Sequence, residues 1–402
     1  MNTGSAMGID DRNDSATLAG KGLAVLSGAL AVAVVAMGIY TSAIDTIPFT
    51  LHRGFALILC FMVALLGGYS LVTKYGAGRS RPILAAFVGI DLAMAAIFCY
   101  GTARYVVVLD LIEAEFYAPS GFDAVLALVS IGCLMELGRR IWGWPLTIVA
   151  GLFLAYLIFG DFLPTMIGHR SLSWADVSTS LWYGYNGVFV TTLSVVLNVI
   201  IIYVLFGTLL ETTGAGAVLL KFAFALTGSS RGGPAHAAII ASSLFGAMSG
   251  STVANVVGTG TFTIPMIKKR GFPPEFAAGI EATASSGGQI VPPIMGAAAF
   301  VMADIIGMRY LEVAIAAIVP AFLYYLNLFF SVIFEARKRN IQPIPPEERP
   351  RLEWIDLYRA LQFILPIVVV FVVMVMGRSV AYAGAMAVAA AVIVSFIISP
   401  EF

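Results

Sequence analysis

The sequence predicts an all-α fold: a polytopic transmembrane helical bundle that contains a re-entrant helical hairpin and a broken helix. The 402-residue chain is 59% hydrophobic and only 11% charged, whereas soluble domains carry about 25% charged residues. Apolar runs long enough to cross a membrane recur along the chain. Between residues 231 and 300, glycine, serine, threonine and proline interrupt these runs. The first two observations indicate lipid as the solvent, and the third indicates breaks in the helices.

The composition also narrows the function. The formal net charge is zero at pH 7, so the charge balance gives no reason to expect a nucleic-acid partner. Cys60, Cys99 and Cys133 lie inside apolar runs, which is typical of small buried side chains rather than disulfides or zinc ligands. The sequence contains no P-loop, zinc-protease or nucleophile-elbow motif. We therefore expect neither an enzyme nor an organic cofactor.

Ten apolar segments approach the length that a membrane-spanning helix needs, about 20 residues for ~30 Å of hydrocarbon. These segments are 22–40, 54–73, 82–100, 122–138, 144–160, 186–210, 275–303, 310–334, 359–376 and 380–398.

The basic residues predict the orientation of these spans. Clusters follow the second span at 74–81, the fourth at Arg139 and Arg140, and the 310–334 span at 337–339. A cytoplasmic N-terminus places each of these clusters inside, as the positive-inside rule requires. We therefore expect a multi-pass protein whose N-terminus is cytoplasmic.

The same rule predicts the hairpin. Arg231 and the basic run 268–270 both belong on the cytoplasmic side, so the segment 234–267 must cross the membrane an even number of times. Its apolar halves, 234–248 and 253–267, each have about 15 residues and reach only ~22 Å as a helix. A re-entrant helical hairpin satisfies both the charges and the lengths.

The composition shifts near residue 140, after which glycine, serine, threonine and proline collect inside the apolar stretches. We therefore divide the chain into a cytoplasmic tail at 1–21, a four-span unit at 22–140 and a working unit at 141–402. Within the working unit, the proline-rich and charged segment 340–352 predicts a polar cytoplasmic linker.

Two interrupted segments are candidates for a binding site. The first is 246–255 (GAMSGSTVAN), at the predicted hairpin tip, and the second is 283–293 (TASSGGQIVPP), in the middle of a span. Broken helices expose carbonyl oxygens that can bind a cation, and their half-helix N-termini can face an anion. Sodium prefers oxygen ligands, which the two segments offer as side chains and as carbonyls: Ser249, Ser251, Thr252, Asn255, Gly287, Gly288, Val291 and Pro293.

Other interpretations of these residues stay open. Small residues spaced four apart, such as Gly246 and Gly250, also let helices pack closely without binding anything. Two interrupted segments within fifty residues favour an ion or substrate site. Asp91 and Glu281 lie deep in apolar stretches, where a carboxylate has either a function or an internal hydrogen-bond partner. Glu211 lies near a span end, where we expect interfacial anchoring.

At these positions the sequence closely resembles a known family, the fused permeases of tripartite ATP-independent periplasmic (TRAP) transporters, and specifically their TAXI subtype. In that subtype the small and large membrane subunits form one chain, and here 22–140 corresponds to the small subunit. The resemblance is strongest over about 160–340. Six motifs carry it: 214–216 (GAG), 231–234 (RGGP), 250–256 (GSTVANV), 260–265 (GTFTIP), 274–276 (PEF) and 287–300 (GGQIVPPIMGAAAF).

The resemblance implies a bacterial inner-membrane permease that imports a small organic acid by sodium symport. It implies a periplasmic TAXI-type solute-binding protein as partner, membrane lipid as surroundings, and an elevator motion of the transport unit. The implied sodium site joins two serines to three carbonyl oxygens: Ser249, Ser251, Gly288, Val291 and Pro293. Neighbouring positions are assigned to the substrate region: Thr252, Asn255, Gly287 and Gln289.

One feature departs from the family pattern. Members have a second, inverted repeat with another hairpin, whereas this sequence ends at Phe402 after the 380–398 span. We therefore expect the chain to represent the first half of an inverted-repeat elevator transporter, incomplete at its C-terminus. Two alternatives remain open: a channel or non-transporting scaffold subunit, and a membrane-embedded lipid-processing enzyme.

Overall fold

A computed structural model describes most of the chain, and the residues that it describes are helices joined by turns and loops. The described residues are 7–44, 48–76, 79–114, 119–164, 166–169, 172–184, 187–189, 191–212, 215–345, 347, 349–350 and 352–398. Gly214 of the first family motif and the terminal residues 399–402 lie outside them, as do residues 1–6 of the predicted tail.

The chain forms two compact units. Unit 1 comprises Met1–Met37 and Thr46–Ser194, and unit 2 comprises Gly38–Asp45 and Val195–Phe402. The structural division therefore falls later in the chain than the compositional shift near residue 140. The assignment of 22–140 to a scaffold and of 141–402 to transport stays a prediction.

Unit 1 contains the first eight helices, with a wide turn at Leu65–Tyr69 between α2 and α3. The helices are α1 (Met7–Ala43), α2 (Phe49–Ala64), α3 (Leu71–Tyr75), α4 (Arg81–Glu113), α5 (Gly121–Trp142), α6 (Trp144–Phe159), α7 (Trp174–Tyr183) and α8 (Thr191–Val195). The C-terminal ends of α1 and α8 extend into unit 2.

The other helices that the described residues form belong to unit 2. They are α9 (Ile201–Thr212), α10 (Ala215–Thr227), α11 (Gly233–Ser249), α12 (Thr252–Lys269), α13 (Pro274–Gly287), α14 (Ala297–Ile305), α15 (Tyr310–Lys338), α16 (Trp354–Val375) and α17 (Val380–Ile398).

Within the described ranges, nine stretches of helix are long and apolar enough to cross a bilayer. They are Gly22–Ala43, Thr50–Tyr75, Arg81–Ile112, Gly121–Trp142, Trp144–Phe162, Thr192–Thr212, Tyr310–Lys338, Trp354–Val375 and Val380–Ile398. They confirm the all-α polytopic bundle and nine of the ten predicted spans. The tenth, 275–303, is divided into α13 and α14, as the broken-helix prediction requires.

Aromatic rings fill the centre of unit 1. Phe61 stacks on Phe98 with ring centroids 4.0 Å apart, and Tyr105 stacks on Phe189 at 3.7 Å. Trp182 lies edge-on to Phe98 and to Phe189, at 6.0 and 4.9 Å. Such ring pairs add about 0.5–1.5 kcal/mol each beyond the area that they bury, so this cluster fixes the packing of α2, α4 and α7.

The second span of unit 1 contains a break that the sequence did not predict. Gly68 has φ +119°, a conformation that side chains rarely adopt, and α3 restarts at Leu71. The Leu71 backbone N–H donates to Asp91 Oδ2 at 2.8 Å, and Arg140 pairs with Asp91 Oδ1 at 2.6 Å. Of the two roles considered for Asp91, the structure supports the internal one, because both carboxylate oxygens hold the break in place.

Two residues of the predicted polar linker 340–352 are buried. Ile341 and Ile344 are each only 5% exposed. The Ile344 backbone N–H donates to the carbonyl of Gly228 at 3.1 Å, and Arg349 Nε donates back to the carbonyl of Ile344 at 2.8 Å. The two isoleucines bury apolar area in unit 2, so the described part of the segment around them packs on that unit, and the cytoplasmic location of the linker stays a prediction.

Candidate functional site

The first predicted interruption is a helix–turn–helix hairpin. Its arm α11 ends at Ser249, Gly250 turns the chain with φ +59°, and the second arm, α12, begins at Thr252. Ser251 caps α12, because its hydroxyl accepts a hydrogen bond from the Ala254 backbone N–H at 3.3 Å. A left-handed glycine followed by a capping serine is a compact way to reverse two helices.

Protein surrounds most of the hairpin's first arm. Thirteen of the seventeen residues of α11 are buried, among them His236, whose ring stacks on Phe329 at 4.7 Å. Ala238 and Ile239 pack in one cluster with Ile267 of α12. Irregular backbone at membrane depth is tolerated only where protein or a water-filled cavity shields it, and α11 meets that condition.

The second predicted interruption is an unwound segment between α13 and α14. One tight turn at Gly288–Ile290 follows α13, and the chain stays non-helical until Ala297. The segment closes on itself, because the Gly296 backbone N–H donates to the carbonyl of Gln289 at 2.7 Å. Tyr310 on α15 fastens it from outside by donating its hydroxyl to the carbonyl of Pro293 at 2.9 Å.

The hairpin tip and the unwound segment contact one another. A Cβ atom added to Gly246 would lie 2.5 Å from Gly288 Cα, so the two backbones touch and leave no room for a side chain. At the turn, a Cβ on Gly250 would collide with the carbonyl oxygen of Met295. The Ile294 backbone N–H also donates to the carbonyl of Ala247, at 3.3 Å. The fold therefore brings together the two segments that the sequence singled out.

The two serines of the predicted sodium site lie at this contact. The Ser249 hydroxyl accepts from the Ser251 backbone N–H at 3.4 Å, and both side chains are half-buried. Their hydroxyl oxygens are neutral, hard donors of the kind that sodium prefers. A Cβ on Gly207 of α9 would lie 2.9 Å from Ser249 Cα, so α9 closes one side of the tip.

The three carbonyl donors lie on the facing unwound segment. Gly288 and Pro293 are buried and Val291 is half-buried. The carbonyl of Gly288 accepts a hydrogen bond from the Val291 backbone N–H at 3.2 Å, and that of Pro293 accepts one from Tyr310. A carbonyl oxygen has two lone pairs, so each can accept a hydrogen bond and also bind a cation. These oxygens are of the kind that sodium prefers, and their assignment as sodium ligands stays a prediction.

The predicted substrate-region residues divide into two groups. Asn255 is fully buried and its amide nitrogen donates to the carbonyl of Ser242 at 2.7 Å, which joins the two hairpin arms. Gly287 is also buried, against the ring of Tyr324. Thr252 is half-buried and Gln289 is exposed. Thr252 and Gln289 therefore have the accessibility that contact with a solute needs, whereas Asn255 and Gly287 serve packing in this conformation.

The structure adds a cluster that the sequence did not predict. The carboxylate of Glu281 on α13 is fully buried and surrounded by hydroxyl groups from α11, α12 and α13. The hydroxyl residues are Ser242, Thr259, Thr263 and Ser285. The sequence singled out Glu281 as a carboxylate deep in an apolar stretch, but it indicated the hydroxyl partners only through spacing, since Glu281 and Ser285 are four residues apart on one helix, as are Thr259 and Thr263.

Residues 129–402 match the family model described as "Tripartite ATP-independent periplasmic transporter, DctM component". The chain belongs to this family. Members of the DctM family are transporter permeases and not enzymes. Membership in this family rules out the lipid-processing enzyme and identifies the chain as a multi-pass membrane protein.

Several curated TRAP permeases are similar to this DctM-family chain. The C4-dicarboxylate TRAP transporter large permease protein DctM of Vibrio cholerae is 29% identical over 217 residues, which cover 54% of this chain and 44% of the relative. The sialic acid TRAP transporter permease protein SiaT of Haemophilus influenzae is 32% identical over 150 residues, 37% of this chain and 24% of the relative. The isethionate TRAP transporter permease protein DctMQ of Oleidesulfovibrio alaskensis is 30% identical over 151 residues, with the same coverage. The chain thus spans less than half the length of each of these relatives.

Proposed function

We propose that this chain is membrane permease machinery of a sodium-coupled TRAP transporter that imports a small organic acid. The contact between the hairpin tip at 249–251 and the unwound segment at 288–296 carries the proposal. Such a contact offers hydroxyl oxygens from one segment and carbonyl oxygens from the other, which are the ligands that a sodium ion prefers. In this proposal Ser249 and Ser251 bind sodium from one side, and the carbonyls of Gly288, Val291 and Pro293 bind it from the other.

Sodium binding at this contact would couple to solute binding because both depend on the arrangement of the same two backbone segments. The ion draws together two segments that pack through glycine, so its binding orders both at once. The N-termini of α12 and α14 follow these segments and carry partial positive charge. A carboxylate solute is therefore expected near Thr252 and Gln289, once sodium has ordered the two half-helix ends.

Two observations support the class of solute: the partial positive charge of the half-helix N-termini and the solutes for which the similar permeases are named. The similar permeases are named for C4-dicarboxylate, sialic acid and isethionate, each an acidic solute. We propose a small organic acid for this chain too, delivered by a periplasmic solute-binding protein of the TAXI type. The proposed location is the bacterial inner membrane, with a cytoplasmic N-terminus and the hairpin entering and leaving from the cytoplasmic side.

The test is the sodium dependence of solute uptake. Proteoliposomes that contain the complete permease and its binding protein are given radiolabelled C4-dicarboxylate, sialic acid or isethionate, in sodium or choline medium. For the solute that is taken up, the sodium concentration at half-maximal uptake should rise at least about tenfold in the double variant Ser249→Ala/Ser251→Ala, because two oxygen ligands are lost. Ser243→Ala is the matched control, since that hydroxyl donates to the carbonyl of Ile240 within α11.

Two results would contradict the proposal. Equal sodium dependence in the wild type, the control and the double variant would remove the site assignment. Equal flux with and without the binding protein would favour a channel. The TAXI assignment has a separate check, because the neighbouring reading frame should encode a secreted solute-binding protein of that type.

A further inference from the structure

The Glu281 carboxylate lies in a cage of hydroxyl groups. Ser242 and Ser285 donate to Oε1 at 2.8 and 3.2 Å, and Thr259 also donates to Oε1. Thr263 donates to Oε2 at 2.6 Å. Thr259 is 5% exposed, and the other four residues are fully buried. The cage therefore joins both hairpin arms to α13 through a single carboxylate.

The hydroxyl groups of the cage make more oxygen–oxygen contacts than they have protons to donate. Its four hydroxyl groups have four protons, yet they make eight oxygen–oxygen contacts within hydrogen-bonding distance. Ser242 contacts Thr259 and Glu281, and Ser285 contacts Glu281. Thr259 contacts Glu281 and both oxygens of Asn255, the backbone carbonyl and the side-chain amide oxygen. Thr263 contacts Glu281 and the carbonyl of Thr259. The cluster is thus rich in electron pairs and poor in positive charge.

Other buried carboxylates of the chain show how such charge is usually balanced. Asp123 is fully buried and pairs with Arg104 at 3.0 Å, and Asp356 is 5% exposed and pairs with Lys221 at 2.5 Å. Among the residues that the structure describes, Glu281 forms no ion pair with a lysine, arginine or histidine. Burial of a carboxylate is costly unless hydrogen bonds or a positive partner replace the hydration that it loses.

A cavity adjoins this cage at Thr259. It has a volume of about 240 Å³, and Glu211, Phe245, Gly258, Thr259 and Phe262 are among the residues that line it. Thr259 thus faces both the cavity and the Glu281 cage. Glu211 Oε1 lies 3.3 Å from the position that a Cβ atom on Gly258 would take, so a second carboxylate lies beside this cavity. Negative charge at the mouth of a small cavity attracts cations.

We propose that the Glu281 cage binds one monovalent cation, a sodium ion or a proton, which enters through the cavity beside Glu211. Glu281 supplies the negative charge, and Ser242, Thr259, Thr263 and Ser285 supply neutral oxygens. Glu281 precedes Gly287 by six residues, or about 9 Å along a helix, so this site is separate from the hairpin tip. It rests on the chemistry of the cage and does not depend on the proposed function.

The sodium arm of the test uses thermal unfolding of the purified chain in detergent. Sodium chloride is titrated against choline chloride at constant ionic strength and pH. The background is Ser249→Ala/Ser251→Ala, so that the hairpin tip does not contribute. If sodium is the ligand, it raises the unfolding midpoint in this background, and Glu281→Gln weakens the apparent sodium affinity by about tenfold or more. Glu275→Gln, an exposed carboxylate on the same helix, is the matched control and leaves the affinity unchanged.

The proton arm uses the infrared carbonyl band of a protonated carboxyl group. If a proton is the ligand, the midpoint does not depend on sodium, and the wild type shows such a band that Glu281→Gln removes and Glu275→Gln retains. If Glu281→Gln does not fold, Thr263→Val replaces it, because it keeps the carboxylate and deletes one hydroxyl. This variant should weaken the apparent sodium affinity if sodium is the ligand, or shift the carboxyl band to higher frequency if a proton is the ligand. The proposal is overturned if the midpoint is independent of sodium and Glu281→Gln leaves the carbonyl band of protonated carboxyl groups unchanged, because Glu281 is then ionised and only hydrogen-bonded.

Discussion

The contact between Gly246 and Gly288 is the most demanding packing feature of the site, and Gly246→Ala tests it. The new methyl group would lie 2.5 Å from Gly288 Cα and 2.9 Å from the amide nitrogen of Asn255. One of these neighbours is backbone and the other is a buried side chain with its own hydrogen bond, so neither can move aside freely. Overpacking of this kind costs about 1–3 kcal/mol.

Replacing glycine with alanine also changes the helix propensity, and a control variant measures that effect separately. Alanine favours an α-helix over glycine by about 0.8–1 kcal/mol. Gly279 lies on α13, where a Cβ would meet nothing within 4 Å, so Gly279→Ala is expected to show this gain alone. The difference in unfolding free energy between the two variants therefore isolates the steric cost, which we expect to be about 1–3 kcal/mol.

The assay is denaturant-induced unfolding of the purified variants in detergent, followed by tryptophan fluorescence. Gly246→Ala should unfold at a lower denaturant concentration than the wild type, and Gly279→Ala at an equal or higher one. If Gly246→Ala is as stable as Gly279→Ala, the hairpin and the unwound segment do not touch as described, and the account of the site loses its basis.

Two further predictions concern the ionic network of unit 1 and the orientation of the hairpin. Arg140 is 1% exposed and pairs with Asp91 and with Glu136, so Arg140→Met should destabilise the protein by about 3–5 kcal/mol, and adding Asp91→Asn should restore part of that loss. Equal unfolding midpoints for wild type and Arg140→Met would show that the network contributes nothing. Arg231 and Lys269 are both exposed at the base of the hairpin, and cysteines placed there should react only with a thiol reagent added from the cytoplasmic side. Labelling from opposite sides would exclude a re-entrant hairpin.

Much of the fold could be predicted because lipid imposes simple rules. A continuous apolar run of about 20 residues has few alternatives to a spanning helix, and nine stretches confirm that prediction. The hairpin followed from charge placement combined with length, and the break in 275–303 followed from glycine and proline in a helix interior. Each of these signals lies within one short stretch of sequence.

Other features depend on partners that are distant in sequence. The turn at Gly68 is held by Asp91 and Arg140, which belong to other helices. Ile344 docks on Gly228 although its own segment looks like a polar linker. Because these contacts form only when helices assemble, local composition does not reveal them.

The candidate site shows the same division. The two interrupted segments were visible in the sequence, whereas their mutual contact was implied only by the family resemblance and not by the residues themselves. Asn255 was assigned to the substrate region as a neighbour of the implied sodium site, whereas the fold uses its amide group to join the hairpin arms. Glu281 was noted as a buried acid, yet three helices supply its four hydroxyl partners. Residue type alone could not distinguish a solute contact from a structural one.

Hydrogen–deuterium exchange with and without sodium tests the central claim most directly. If the hairpin tip and the unwound segment bind one sodium ion together, replacing potassium with sodium should slow amide exchange in 249–255 and in 288–296 at the same time. The exposed helix α6 should show no change in exchange. Identical exchange of both segments in sodium and potassium would contradict the claim, as would protection of one segment without the other.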